Sequence, residues 1–145
     1  MPIRLPVIPC EKRHLSILEQ YISEMELDGR DLDADEFLII EGPTRVKAFG
    51  RLKRYNGYNE LCTLGVVNDL RELGLGAKLV KALCEVTDVP IYLVCIIPEW
   101  FRPLGFEICG DYPEMLELKR IYCTNHLAVD SPYVVMKYTG APTVN

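Results

Sequence analysis

The chain has 145 residues, of which 49% are hydrophobic and 26% charged, with a formal net charge of −5 at pH 7. That length suits one domain with a sizeable core. The negative balance argues against nucleic acid as the main partner, and no apolar run approaches the ~20 residues of a membrane span.

The opening Met1-Pro2-Ile3-Arg4-Leu5-Pro6 lacks a signal-peptide layout. Cys10, Cys62, Cys84, Cys95, Cys109 and Cys123 include no Cys-x-x-Cys pair, which argues against a zinc site. Several sit in apolar runs, where a free thiol behaves as a small hydrophobe. A reduced, cytoplasmic protein without a metal is expected.

Residues 3–8 suit a first strand, with Pro6 favouring an edge position. A helix follows from Cys10, its apolar face formed by Leu15, Leu18, Tyr21, Ile22 and Met25, and Gly29 ends it. Asp28, Asp31, Asp33, Asp35 and Glu36 then crowd a short polar stretch. It reads as a solvated connector in preference to a metal or cation-recognition loop, and the calcium-loop pattern is absent. Residues 37–41 and 45–54 make a hairpin around Gly42-Pro43, and residues 55–59 turn into a third strand at 61–67. Joined by short turns, the three strands are expected to pair antiparallel.

Asn68 and Asp69 end the third of these runs with turn chemistry. Arg71-Glu72-Leu73-Gly74-Leu75-Gly76 comes next and opens a helix whose face is Leu75, Leu79, Leu83 and Val86. The continuous apolar run 91–97 suits a buried strand parallel to the one before the helix, giving a right-handed βαβ unit from Glu60 to Ile97. A short helix at 98–102 and a strand at 106–109 follow. A helix at 113–122 has Met115, Leu116, Leu118, Ile121 and Tyr122 as candidate core positions. The last strand is 133–138, and the tail from Gly140 is expected to be loose.

The turn into the central helix carries the chemistry. The first amides of a helix lack partners within it, and the helix dipole adds positive potential there. Glycines at the entrance admit unusual φ angles and remove Cβ atoms that would hold a ligand off the backbone. A phosphate or pyrophosphate is the natural guest. The Walker A pattern fails, because Ala77-Lys78-Leu79 lacks Gly-Lys-Ser/Thr, and the dinucleotide fingerprint fails because position 79 is leucine.

Arg71-x-x-Gly74-x-Gly76 after a strand resembles the coenzyme A pyrophosphate loop of GNAT-type N-acetyltransferases. The resemblance extends over nearly the whole element order. It includes Phe37-Leu-Ile-Ile-Glu41, Val46-Lys-Ala-Phe-Gly-Arg-Leu52, Glu60-Leu-Cys-Thr-Leu-Gly-Val-Val67 and Trp100-Phe101-Arg-Pro-Leu-Gly105-Phe106. The Glu-Leu entry to strand four and the paired aromatics look like the branch acting on amino acids.

The resemblance implies an α/β (α+β) fold: a mixed, largely antiparallel sheet with a central parallel βαβ unit and splayed strands four and five. A single domain would occupy 1–139, with 140–145 a flexible tail. It implies transfer of an acetyl group from acetyl-CoA to the amine of a small molecule or amino acid. The alternative is a CoA-binding regulatory or degenerate module without turnover. The resemblance also allows a homodimer.

On this reading Arg71 and the amides around Glu72, Leu73, Gly74, Leu75, Gly76 and Ala77 hold the pyrophosphate. The backbone of Leu64, Gly65, Val66 and Val67 pairs with pantetheine as an added strand. The Val66 amide polarises the thioester carbonyl, and Gly65 allows close approach. Glu60 is the candidate base, its alternative being an exposed glutamate at a strand end; Glu107 and Glu41 are weaker candidates. His14 and His126 are expected at the surface. Phe101 occupies the position where many relatives carry a tyrosine acid, so the acid is open among Tyr122, Tyr112, Cys95 and unassisted thiolate departure. Trp100 and Phe101 are otherwise expected to pack against the cofactor or the substrate, or in the core.

Overall fold

The computed structural model describes residues 5–67, 74–126 and 132–140. Seven strands have the hydrogen-bonded order β1-β2-β3-β4-β5-β7-β6 and are antiparallel except for β4 and β5. They are β1 (Val7–Pro9), β2 (Phe37–Glu41), β3 (Val46–Arg54), β4 (Asn59–Val66), β5 (Ile91–Cys95), β6 (Phe106–Ile108) and β7 (Val134–Tyr138). The helices are α1 (Leu15–Glu24), α2 (Leu75–Cys84), α3 (Pro98–Phe101) and α4 (Glu114–His126). This mixed sheet with a βαβ unit is the predicted architecture. No helix among the described residues is long and apolar enough to cross a membrane. The chain divides into two compact units, Met1–Lys53 with Leu61–Thr87, and Arg54–Glu60 with Asp88–Asn145.

In the first unit β1 pairs with β2 and β2 with β3, with a register shift at Ile40/Glu41. Alternation along β2 supplies two cores. Phe37 and Ile39 join Leu18, Tyr21, Ile22 and Phe49 on the α1 side. Leu38 and Ile40 join Ala48, Leu75 and Leu79 on the α2 side.

Three expectations change here. Helix α1 ends at Glu24, before Gly29, because the following chain turns left-handed at Glu26, with φ 56°. His14 is buried, not at the surface. Its Nδ1 accepts the Glu11 amide at 2.9 Å, leaving Nε2–H to donate to Glu41 Oε2 at 3.2 Å. Val86 leaves the apolar stripe of α2 and is exposed, since the helix stops at Cys84.

The acidic stretch is more than a solvated connector. Arg51, buried on β3, donates to Glu36 Oε1 through Nε at 3.0 Å and Nη2 at 2.7 Å, to the Arg30 carbonyl at 2.9 Å, and to the Asp31 carbonyl. Thr63 Oγ1 donates to the Asp28 carbonyl at 2.9 Å. Among the described residues, no group of three or more His, Cys, Asp or Glu forms a metal cluster.

In the second unit β7 lies between β5 and β6, antiparallel to both. Helix α4 packs through Leu116, which meets Tyr92 and Val135, and through Cys123. Met115, Leu118 and Ile121 are exposed, contrary to the sequence reading. The packed stripe of α4 runs from buried Leu116 through half-buried Lys119, whose side chain is 10% exposed, to buried Cys123. A search for apolar periodicity passes over a stripe interrupted by charge. Residues 141–145, most of the expected tail, lie outside the described residues.

Candidate active site

Strand β4 organises the site. From Leu61 onward its residues alternate between buried and half-buried. Leu64 and Val66 turn toward the α2 core, so Thr63 and Gly65 fall on the opposite face. Thr63 has φ 50°, left-handed for a β-branched residue in mid-strand. Such backbone is costly, locally bends the strand, and persists where the surroundings hold it. The Thr63 hydroxyl bond to Asp28 is one such hold. The Val67 amide donates to the Lys47 carbonyl at 2.9 Å.

Gly65 serves packing in this structure. A Cβ there would lie 2.8 Å from Phe49 Cε1, closer still to Cζ, and 2.9 Å from Met25 Sδ. The ring of Phe49, stacked on Tyr21 with centroids 6.1 Å apart, therefore fills the space that a side chain at position 65 would need. Gly65→Ala is expected to cost about 1–3 kcal/mol by overpacking. A double-mutant cycle with Phe49→Leu, followed by urea unfolding, checks this; additive costs would show that the two residues do not collide.

Helix α2 opens on Gly74, left-handed at φ 72°. Among the described residues, its chain neighbours aside, no atom lies within 4 Å of where its Cβ would stand. The first helical bond runs from the Lys78 amide to the Gly74 carbonyl at 3.1 Å. The amides of Leu75, Gly76 and Ala77 therefore precede the ladder, and the first turn carries no acidic side chain. Electrostatically this is a helix end prepared for an anion. Arg71, Glu72 and Leu73, the other predicted members of the loop, lie outside the described residues.

The second unit holds the predicted base. Glu60 is 1% exposed, not a solvated strand end. The backbone amide beside it, that of Asn59, donates to the Pro90 carbonyl at 2.9 Å and fixes the strand entry. Glu60 Oε2 accepts from Lys119 Nζ at 2.8 Å, and Oε1 from the Tyr55 hydroxyl at 3.2 Å. Tyr55 stacks on Tyr58 with centroids 4.9 Å apart. Burial, and then the Glu60 charge, push the Tyr58 hydroxyl up from its ordinary value. Lys119 and Tyr55 were not singled out in the sequence. The only local signal for Lys119 is its place three after Leu116 and four before Cys123.

The other candidates separate clearly. Glu107 is exposed, and Glu41 is engaged by His14. Phe101 is 6% exposed and lies in an aromatic chain, 4.8 Å from Trp100 and 5.9 Å from Phe106 between centroids. Trp100 is its exposed end. Tyr112 donates to the carboxylate of Glu117 at 3.0 Å, and that bond raises its hydroxyl above its ordinary value. Tyr122 leans on His126, which is exposed as expected. Burial pushes the Cys95 thiol up to about 11.

No protein-family model matches the sequence, and no curated protein sequence matches it. Solved structures do. Rv2747 from Mycobacterium tuberculosis, in complex with CoA, superposes with a TM-score of 0.75 at 16% identity, covering 92% of this chain and 98% of that one. N-acetylglutamate synthase from Neisseria gonorrhoeae, complexed with coenzyme A and N-acetyl-glutamate, gives 0.69 at 15% identity, covering 95% of this chain and 35% of that longer one. An acetyltransferase of the GNAT family from Staphylococcus aureus gives 0.64 at 17% identity, covering 93% and 98%. The chain therefore has the GNAT fold.

Proposed function

We propose that the chain is an acetyl-CoA-dependent N-acetyltransferase, one functional domain over 1–139, acting in the cytoplasm on the amine of a small molecule or amino acid. The observation that carries this reading is the start of α2: left-handed Gly74, the amides of Leu75, Gly76 and Ala77 ahead of the ladder, and no acidic side chain within the first turn. That arrangement fits a diphosphate. The similar proteins solved with coenzyme A support the same assignment.

Acetyl-CoA supplies an acyl group already activated as a thioester. The residues of this chain have three tasks. The amides of the α2 first turn, with Arg71, hold the diphosphate. The backbone of Leu64, Gly65, Val66 and Val67 offers strand pairing to the pantetheine, and the Val66 amide polarises the thioester carbonyl as an oxyanion donor. Glu60 takes the proton that an alkylammonium, with a pKa near ~10, must lose before it can attack.

Two of the three candidate acids, Cys95 and Tyr112, favour unassisted departure of the thiolate. A CoA thiol has a pKa near ~8.5. The Cys95 thiol, at about 11, is the weaker acid and gains nothing by giving its proton to that thiolate. The hydroxyl of Tyr112 is raised further above an already high value. Phe101 has no proton to give.

Calorimetry with acetyl-CoA tests the cofactor, and release of CoA thiol across an amine panel tests turnover. Glu60→Gln is expected to lower turnover by about 10²-fold or more while CoA affinity stays within about twofold. Full turnover would remove Glu60 as the base. One observation favours a second reading, a CoA-binding module without turnover: Phe101 stands buried in the usual acid position. Tight CoA binding with no amine accelerating thiol release would select that reading.

A further inference from the structure

We propose that Lys119 and Tyr55 are positioning residues that keep Glu60 ionised and oriented as a base, an inference that rests on Glu60 being the base. The difficulty they resolve is physical. Desolvation favours the neutral form of a buried carboxyl group. In that form the group cannot accept a proton from an ammonium. An opposing cation within hydrogen-bond reach reverses this, and Lys119 Nζ stands 2.8 Å from Oε2. Tyr55 adds a neutral donor at 3.2 Å on the other oxygen. Each carboxylate oxygen has two lone pairs, so one on each remains for an incoming proton.

The pair is a poor choice for stability alone. Buried ion pairs are often no better than apolar residues of the same volume, and the packed stripe of α4 could carry a leucine between Leu116 and Cys123. Among the described residues, the other titratable groups near the pair are phenols and the Cys123 thiol. Tyr58, beside Tyr55, feels Glu60 directly. Tyr133, ahead of β7, is raised by its burial and then by Cys123, and lowered by Lys119. Tyr92 on β5 meets Tyr58 edge-on at 6.0 Å and lies under Lys137, 5.7 Å from its ring centroid. Among these groups Lys119 is the one cation in contact with Glu60.

The test is a carboxyl-carbon NMR titration of Glu60 in the free protein, wild type against Lys119→Met, Lys119→Arg and Tyr55→Phe. In Lys119→Met the midpoint of Glu60 is expected to move up by about 1–3 pH units. The acid limb of kcat/KM is expected to move with it, with CoA affinity unchanged. Tyr55→Phe gives a smaller shift of the same sign and carries the test should Lys119→Met fail to fold. Lys119→Arg restores both readouts. A Glu60 midpoint that stays fixed in both Lys119→Met and Tyr55→Phe overturns the proposal and reduces the pair to scaffolding. Full activity in Glu60→Gln sinks the base assignment and this inference with it. A dead Glu60→Gln beside a fixed midpoint sinks this inference alone.

Discussion

Replacing Arg51 by methionine is expected to lower the unfolding free energy by about 3–5 kcal/mol, against a typical total of about 5–15 kcal/mol for a domain. Arg51 is 2% exposed, and its guanidinium serves three acceptors: the carboxylate of Glu36, whose side chain is only 9% exposed, and the carbonyls of Arg30 and Asp31. It also lies 5.7 Å from the centroid of the Phe37 ring. Methionine preserves most of the volume and none of the donors. The half-buried carboxylate of Glu36 then loses the two bonds that Arg51 gives it. Asp31, left-handed at φ 53°, loses the bond that helps to hold it there. Urea unfolding of Arg51→Met and of Arg51→Met with Glu36→Gln checks the account. The second variant is expected to recover part of the loss, because an amide costs less to bury than a charge. A loss under about 1 kcal/mol would mean that the loop does not depend on this residue.

The same residue shows where sequence reading stops. Strand β2 was legible, at 37–41, because an apolar run bounded by turn residues is a local signal. The start of α2 was legible because two glycines punctuate it. Arg51 was not, since its partners lie 15 to 21 residues away and nothing within β3 distinguishes a buried arginine from an edge one. Lys119 was missed for the same reason at longer range, 59 residues from Glu60. The candidate core of α4 failed in part as a consequence: Leu116 is buried, but Met115, Leu118 and Ile121 form an exposed apolar series, and the face that packs carries Lys119. Periodicity identifies a helix and ranks its faces by hydrophobicity, but a face chosen for a charge is ranked wrongly. Gly65 was singled out for close approach of a ligand, and the structure adds a packing reason. Only the three-dimensional packing shows that Phe49 needs the space.

Gly76→Asp separates folding from cofactor binding at the residue on which the functional reading depends. Aspartate in the first turn of a helix interacts favourably with its dipole, by about 0.3–1 kcal/mol, and α2 has no acidic side chain there. Gly76 is the second residue of the helix. A carboxylate in that first turn would bring a negative charge to the place proposed for the diphosphate. Two unit charges about 4 Å apart near a protein surface repel by roughly 4 kcal/mol. Each ~1.4 kcal/mol is tenfold in affinity. CoA affinity is therefore expected to fall by about 10² to 10³-fold. Gly76 is buried, so Gly76→Ala is needed beside it to report the effect of bulk alone. The expected pattern is a modest loss of affinity in the alanine variant and a loss beyond calorimetric detection in the aspartate variant, with the aspartate variant unfolding at a urea concentration no lower than the alanine variant. Equal CoA affinity in the wild type and Gly76→Asp would place the diphosphate elsewhere and remove the observation on which the acetyltransferase reading stands.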